Sequence, residues 1–468
     1  MKVWIEVEDF AKIRHAKVCM NQYTLLVGQN NSGKTFLMQL VQGIGQHLKR
    51  LYVPGMIDMS WSNEKEKAEG RMLIDNAWVR DILVQVNQRL DEEKQSIIRE
   101  IYNKNIPIKT LRIDVDLEDT CFEIRAYRSI PQQRESIQAF MQDSGFHPRA
   151  HDWLKMMLEN EAGIFSAGMS KNTKTLEKKG FFMSWSMDES SLEKKFYDHA
   201  CNMIFDLSDS LFLPASRTGM MMLYRNFFAQ KVDDTMQYVQ DGAVVPYQDD
   251  VIGMTKPMYE FMRFLQTYVE NENELEKHKK ELDFFENHLI EGHISWNRQG
   301  SFTYDATQGA KGIPMYLASS MINEVAPMIL AITGQKNYGR LIIDEVDASL
   351  HPEKQQELVR FLTRLNNTGM QLMISTHSDT FVSKLNNLYK LSGKSDAEDL
   401  LASLNLEKED IPRPSQLNVY EFVNQPDGTS EVYEIEGDVQ NGFQFGLFAK
   451  SAWNLYQESA KIQVGKDK

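Results

Sequence analysis

Residues Gly28-Gln29-Asn30-Asn31-Ser32-Gly33-Lys34-Thr35 follow the pattern G-x-x-x-x-G-K-[ST]. In such a loop the backbone N–H groups cradle phosphates. The Lys reaches the β- and γ-phosphates, and the last hydroxyl ligates Mg²⁺. Gly28, Asn30, Asn31, Ser32 and Gly33 are therefore the expected phosphate cradle, with Lys34 as its cation and Thr35 as a metal ligand. Further along, Leu341-Ile342-Ile343-Asp344-Glu345 is an apolar run ending in two carboxylates. Asp344 stands where an acid would share Mg²⁺ with Thr35, and Glu345 where a base would orient or deprotonate an attacking water. Asp347-Ala348-Ser349-Leu350-His351-Pro352 follows at once. Met373-Ile374-Ser375-Thr376-His377-Ser378 then places His377 at the end of the next apolar run, where it can hydrogen-bond a γ-phosphate. The chemistry expected is binding of a polyphosphate with Mg²⁺ and attack on it by an activated water.

These residues need a scaffold that brings strand ends together. Tyr23 to Val27 reads as a buried strand before the loop, and Phe36 to Leu40 opens a helix whose N-terminus favours phosphate charge. Leu341 to Ile343 and Leu372 to Ile374 are short continuous apolar runs, as in central parallel strands. Leu211 to Pro214 reads as another short strand. Leu417 to Val423 and Val432 to Ile435 read as a strand pair around the turn Gln425-Pro426-Asp427-Gly428. Leu111 to Leu117 and Phe122 to Tyr127 alternate with period two, which predicts a hairpin across Glu118 to Cys121. A final helix is expected over 445–459.

The predicted fold class is α/β, a mixed sheet with flanking helices. The head is drawn from 1–60, 105–130, 201–225 and 300–468, with mostly helical insertions over 61–104 and 131–200. The Lys/Ser/Thr-rich stretch near Ser170 to Lys179 reads as a loop. Apolar residues at Phe261, Leu265, Tyr268, Leu275, Leu282 and Leu289 predict a helix from Pro257 to Ile290, about 45–50 Å long at 1.5 Å per residue. Glu272, Lys279 and Glu286 break its heptads. That leaves two readings for 255–295: a short arm or coiled-coil stub, or an amphipathic helix docked on its own domain.

Bulk properties bound the partners. The 468 residues are 42% hydrophobic and 25% charged, with a net charge of −14. That acidity argues against a chain-wide grip on nucleic acid and leaves a local basic groove open. Cys19, Cys121 and Cys201 have no C-x-x-C spacing, which speaks against a cysteine zinc site. No secretory leader pattern opens the chain and no run of 18 apolar residues occurs, so a cytoplasmic protein without a membrane span is expected. His147 and His151, four apart beside Asp152, read as surface histidines, since Pro148 lies between them and no third ligand is evident. Met220-Met221-Met222 reads as packing.

The loop at 28–35, Asp344-Glu345, Asp347 and His377 together resemble the head of ABC-type ATPases in the branch that holds the structural-maintenance, RecF-like and overcoming-lysogenization-defect proteins. The separation of about 310 residues between Lys34 and Asp344 suits the large insertions of that branch. The resemblance implies a composite site completed by a signature segment from a second copy. The best candidate is Leu317-Ala318-Ser319-Ser320-Met321, with Ser319 and Ser320 facing the γ-phosphate. The family carries Gly where Met321 stands, and a plain N-cap remains the alternative for the serines. Leu213-Pro214-Ala215-Ser216-Arg217 resembles a Pro-x-x-Arg stretch of the same branch, which makes Arg217 a candidate for a phosphate or an interface carboxylate, with an ordinary structural ion pair as the equal alternative. Phe10, Lys12 and Arg14 are candidates near the base.

No Toprim or HNH cluster is evident in the sequence. In this respect the chain is similar to the stand-alone ATPases of two-gene antiphage systems, AriA of PARIS and PtuA of Septu. That similarity implies a head-to-head dimer or larger homo-oligomer, a separate toxic effector such as a Toprim or HNH nuclease, and a phage-encoded trigger. Two other readings stay open at this stage: a RecF-like repair ATPase that binds DNA, and a nucleotide-locked scaffold with negligible turnover.

Overall fold

The computed structural model describes residues 2–56, 69–74, 76–117, 121–128, 163–172, 175–184, 189–205, 209–215, 217–240, 253–296, 301–394 and 397–464. Internal contacts divide the chain into two units. One comprises Met1, Gln46–Glu92 and Ile113–Leu207, and the other Lys2–Gly45, Glu93–Arg112 and Ser208–Lys468.

Among the described residues the strands are, in order, β1 Val3–Phe10, β2 Ile13–Cys19, β3 Tyr23–Gly28, β4 Glu69–Ile74, β5 Thr110–Val115, β6 Cys121–Arg128, β7 Gly163–Asn172, β8 Thr175–Ser184, β9 Ser210–Leu213, β10 Gly292–Trp296, β11 Phe302–Ala306, β12 Ile313–Pro314, β13 Arg340–Ile343, β14 Gln371–Thr376, β15 Leu417–Asn424 and β16 Ser430–Glu434. The main sheet has the order β5-β1-β2-β16-β15-β3-β14-β13-β9. Its half from β15 to β9 is parallel. Antiparallel hairpins β1-β2 and β15-β16 build the other side. Every residue of β3 is buried, and so is every residue of β13. That is why both read as unbroken apolar runs rather than alternating ones.

The parallel half matters for function because it aligns strand ends. β3 delivers the loop at 28–35, β13 delivers Asp344, and β14, hydrogen-bonded between them, delivers His377. Ligand sites in such sheets form beyond the carboxyl ends of the strands. Helix Lys34–Leu48 follows β3 directly, and helices Ser320–Thr333, Pro352–Asn367 and Asp379–Leu391 contribute buried faces to the same core. The mixed sheet with flanking helices expected from the sequence is what this unit forms.

Three expectations are corrected. The stretch 257–290 is not one long helix. It is broken into Lys256–Gln266, Glu272–Lys277, Lys279–Phe284 and a π-turn Phe285–Ile290. Asn271 caps the second piece and donates its own amide to the Thr333 carbonyl at 2.9 Å. Phe261, Leu265, Tyr268, Phe285 and Leu289 all enter the core of this unit. The apolar residues that suggested an arm are buried at home, as the docked alternative has it, though in separate short turns.

The predicted hairpin of 111–117 with 122–127 does not form either. β5 lies beside β1 in the main sheet, whereas β6 pairs with β4 and β7 in a separate antiparallel sheet of order β4-β6-β7-β8. That second sheet contains the third correction. The insertion over 131–200, read as mostly helical with a loop near Ser170 to Lys179, holds the paired strands β7 and β8. Ladder hydrogen bonds run through the backbone, so a lysine- and serine-rich segment can pair as readily as an apolar one. In the same unit, helix Glu189–Phe205 buries Tyr197, Cys201 and Phe205, and the Tyr197 hydroxyl donates to the Leu48 carbonyl at 2.9 Å. His147, His151 and Ser216 lie outside the described residues.

Candidate active site

The loop after β3 is shaped by steric exclusion. Gly28 has φ of 143°, and a Cβ there would stand 2.3 Å from the Phe422 carbonyl oxygen of β15. Gly33 has φ of 97°, and its Cβ would meet Ile13 Cγ1 at 2.7 Å. Only glycine tolerates both constraints. Neighbouring strands then hold the loop. Asn424 at the end of β15 donates its amide to Gln29 Oε1 and its Nδ2 to the Asn30 carbonyl, each at 3.1 Å. Ser430 Oγ donates to the Ser32 carbonyl at 2.7 Å, and Lys12 Nζ donates to the Asn31 carbonyl. Asn424 and Ser430 have no motif of their own. Only the placement of the β15-β16 turn over the loop reveals them.

Lys34 is buried and its ammonium is coiled over the loop, donating to the Gly28 carbonyl at 3.2 Å, the Gln29 carbonyl at 2.9 Å and Ser32 Oγ at 3.2 Å. Burial lowers its pKa to about 8, while Asp344 and Glu345 pull it back up. The result is a poorly solvated cation whose charge is best satisfied by an arriving anion.

The decisive contact joins the two motifs. Thr35 Oγ1 donates to Asp344 Oδ2 at 2.6 Å, across 309 positions of sequence. The other carboxylate oxygen, Oδ1, accepts from Ser375 Oγ at 2.6 Å, and Ser375 Oγ in turn accepts the Glu345 amide at 2.8 Å. Ser375 was quoted only as a neighbour of His377. Its position at the tip of the strand between β3 and β13 makes it the residue that fixes the rotamer of Asp344. A hydroxyl beside a carboxylate is the donor set expected for Mg²⁺, which takes one or two protein oxygens together with phosphate oxygens and water. Among the described residues no cluster of three or more His, Cys, Asp or Glu could hold a metal by itself. Thr35 and Asp344 thus fit Mg²⁺ better than a metal that needs an all-protein cage.

Glu345 is exposed and adopts φ of 45°, a left-handed conformation that costs a non-glycine residue on the order of 1 kcal/mol or more. The turn is tied down on both sides. The Val346 amide donates to the Ser375 carbonyl at 3.0 Å, and Asp347 accepts from Thr376 Oγ1. His377 is half-buried, and burial with the nearby Lys34 charge holds its pKa below the ordinary histidine value. It is therefore neutral at pH 7, so one ring N–H can donate to phosphate.

Other candidates fall elsewhere. Phe10 is buried against Phe36 and Tyr102, with ring centroids at 6.3 and 5.9 Å, and so is not a platform for a base. Arg14 pairs with Asp427 at 2.5 Å and Glu431 at 2.8 Å. Arg217 is corrected as a phosphate ligand. It is fully buried, and its guanidinium donates to the carbonyls of Pro214, Asp344 and Glu345 while pairing with Glu324. Ser319 caps helix Ser320–Thr333, its hydroxyl accepting the Ile322 amide at 3.3 Å. Ser319 and Ser320 are both exposed, and among the described residues neither hydrogen-bonds to the loop at 28–35 of the same copy. Met321 packs partly buried against the core.

Residues 242–383 match the protein-family model described as "AAA domain, putative AbiEii toxin, Type IV TA system". The match takes in Asp344, Glu345 and His377 and leaves out the loop at 28–35. No curated protein matches the sequence. Among solved structures the chain is similar to an SMC head domain from Thermotoga maritima, at 11% identity and a TM-score of 0.31, covering 93% of this chain and 100% of that one. It is also similar to an SmcHead bound to the C-winged helix domain of ScpA, at 10% identity and a TM-score of 0.33, covering 92% and 97%. A third is an Smc head with an extended coiled coil bound to the C-terminal domain of ScpA, from Pyrococcus furiosus, at 10% identity and a TM-score of 0.32, covering 98% of both chains. At such scores the superposition is loose. The assignment of a P-loop nucleotide site rests on the strand order and on the contact between Thr35 and Asp344.

Proposed function

We propose that the chain binds and hydrolyses ATP at a site of the ABC type, completed when two copies associate, and that it acts as sensor and scaffold for a separate toxic effector. The hydrogen bond from Thr35 to Asp344 is the observation that carries the nucleotide reading. It joins the loop at 28–35 to the acid after β13, placing a hydroxyl and a carboxylate side by side at the end of the sheet. In the mechanism, the loop amides and Lys34 bind the triphosphate. Thr35 and Asp344 hold Mg²⁺, which would neutralise developing phosphate charge. Glu345 orients the water and accepts its proton, and His377 donates a hydrogen bond to the terminal phosphate. Positioning and electrostatics do most of such catalysis.

Association is supported by what faces solvent. Ser319 and Ser320 are exposed beside Tyr316 and Leu317, which are 66% and 67% exposed. Large apolar side chains flanking a solvent-facing helix N-terminus suit burial against a second copy whose nucleotide needs donors. Light scattering with and without Mg-ATP, on a Glu345→Gln background that retains nucleotide, tests this. Leu317→Glu is expected to abolish ATP-driven association while leaving nucleotide affinity within about threefold, because a charge at the centre of a contact weakens pairing and not the cradle. Unchanged association in that variant would remove the proposed interface.

The effector reading draws on the family description, which names a toxin of a toxin–antitoxin system, and on the resemblance to stand-alone defence ATPases. Co-expression with the product of the adjacent gene should be toxic only when a phage trigger is present, and Lys34→Ala should abolish that toxicity. Salt-sensitive DNA binding by the purified protein alone would favour the repair reading instead.

A further inference from the structure

Arg217 is, with Arg340, one of the two largest fully buried side chains among the described residues, and its contacts gather two parts of the site. Its terminal nitrogens donate to the Asp344 carbonyl at 2.6 Å and the Glu345 carbonyl at 3.1 Å. These are the two carbonyls of the corner that carries the metal acid and the base. Its Nε donates to the Glu324 carbonyl at 3.0 Å and lies 2.9 Å from Glu324 Oε2. Glu324 is on the helix that opens at Ser320. Thr218, next in sequence, donates its hydroxyl to Glu324 Oε1 at 2.7 Å and to the Ser320 carbonyl at 3.3 Å. Asn323, also fully buried, donates to the Met315 carbonyl at 2.9 Å and the Ser319 carbonyl at 3.2 Å. The exposed serines are thus anchored through consecutive helix residues to the carbonyls behind Asp344 and Glu345.

We propose that Arg217 is a positioning residue that fixes the Asp344–Glu345 corner and the Ser319–Ser320 segment with one buried guanidinium, so that the half-site a copy keeps and the half-site it presents move as one rigid piece. The second half of this statement rests on the association reading above. A planar fork with five donors is needed, because the four carbonyls of Pro214, Glu324, Asp344 and Glu345 and the Glu324 carboxylate lie in different directions. An ammonium of equal charge can satisfy only part of that set. The left-handed φ of Glu345 gives the clamp its purpose. A strained corner persists only where its surroundings over-determine it. A buried ion pair is weak evidence for stability and well suited to fixing register.

The test uses the full chain with Arg217→Lys, and Glu324→Gln as the second variant should the first fold poorly. Three quantities are measured: affinity for a fluorescent ATP analogue without Mg²⁺, the Mg²⁺ concentration that half-restores tight binding, and amide hydrogen exchange over residues 318–325. The expected result is Mg²⁺-free affinity within about twofold of the parent, since the loop and Lys34 are untouched. The Mg²⁺ midpoint should rise at least about fivefold and exchange over 318–325 should quicken at least about fivefold. Parental values for the last two would overturn the proposal. So would a change in only one of them, or a loss of Mg²⁺-free affinity beside the other two changes and a lower melting temperature, which marks a merely structural role. None of these readouts needs a second copy. A parent protein that fails to associate or to turn over ATP therefore refutes the functional reading and leaves the assignment of Arg217 to be decided separately.

Discussion

Glu345→Gln is expected to lower ATP turnover by roughly 10²–10³-fold while nucleotide affinity stays within about threefold. The two side chains have the same shape, and the backbone contacts that set the corner remain: the Glu345 amide on Ser375 Oγ and the Glu345 carbonyl on Arg217. The capacity to accept the water's proton is lost together with one negative charge. Neither Lys34 nor Thr35 donates a hydrogen bond to the Glu345 carboxylate, so the cradle and the metal ligands keep their contacts, and the lost charge reaches Lys34 only through space. ATP-driven association should persist longer, because the nucleotide that joins two copies is no longer consumed. Phosphate release under single-turnover conditions checks the result. Turnover at the parental rate would mean that another group serves as base and that the exposed Glu345 is incidental.

The second large effect belongs to Lys34. Lys34→Met should weaken ATP binding by at least about 10²-fold, since charge-assisted bonds from one cation to two phosphates, each about 1.5–3 kcal/mol, are lost together. The pH dependence is more specific. Burial brings the Lys34 pKa down to about 8, whereas the unfolded chain holds that proton to about 10.4. A bound triphosphate keeps Lys34 protonated, so above pH 8 binding must take up a proton. Affinity should then fall by up to about tenfold per pH unit. Stability without ligand runs the other way. Between pH 8 and about 10.4 the unfolded state binds more protons than the folded state, so this group's contribution to folding stability rises with pH, by on the order of 3 kcal/mol in all. Titration of a fluorescent ATP analogue from pH 7 to 9.5, beside melting curves over the same range, reads both slopes. In Lys34→Met both pH trends should flatten. A parental affinity that is constant across that range would show Lys34 to be fully charged in the free loop.

How much of this was visible in the residues depended on how local the requirement was. Gly28, Gly33, Lys34 and Thr35 are dictated by phosphate geometry within eight positions, so their types and spacing alone announce the site. Asp344 and Glu345 follow a strand so apolar that it can only be central. The strand pair at 417–424 and 430–434 was legible for a similar reason, since Pro426, Asp427 and Gly428 form a turn whichever sheet it joins. The misreadings share the opposite property. β7 and β8 mix Lys and Ser with Ile164, Phe165, Phe181 and Phe182 without a clean period of two, and their pairing depends on backbone partners that side-chain pattern does not record. The broken helices over 256–290 keep a heptad-like spacing because Phe261, Leu265 and Leu289 do face one core, but the turns between them are set by outside contacts such as that from Asn271 to Thr333. Arg217 takes the ion-pair alternative with Glu324, a choice its type alone does not make, because a phosphate, a carboxylate and a set of carbonyls make the same demand on a guanidinium.

The sequence by itself marked the candidate phosphate cradle and the candidate Mg²⁺ ligands, because those groups sit in short segments whose conformation their own glycines, serines and strand termini impose. Only the tertiary structure decided what stands behind those residues. Ser375 orients Asp344 because β14 lies between β3 and β13, and Asn424 and Ser430 brace the loop because β15 and β16 lie beyond it. Arg217 turns inward because the carbonyls of Asp344 and Glu345 and the Glu324 carboxylate converge on it from segments more than a hundred positions away. Partners that distant leave no spacing in the chain, since the sheet alone sets the distance between them.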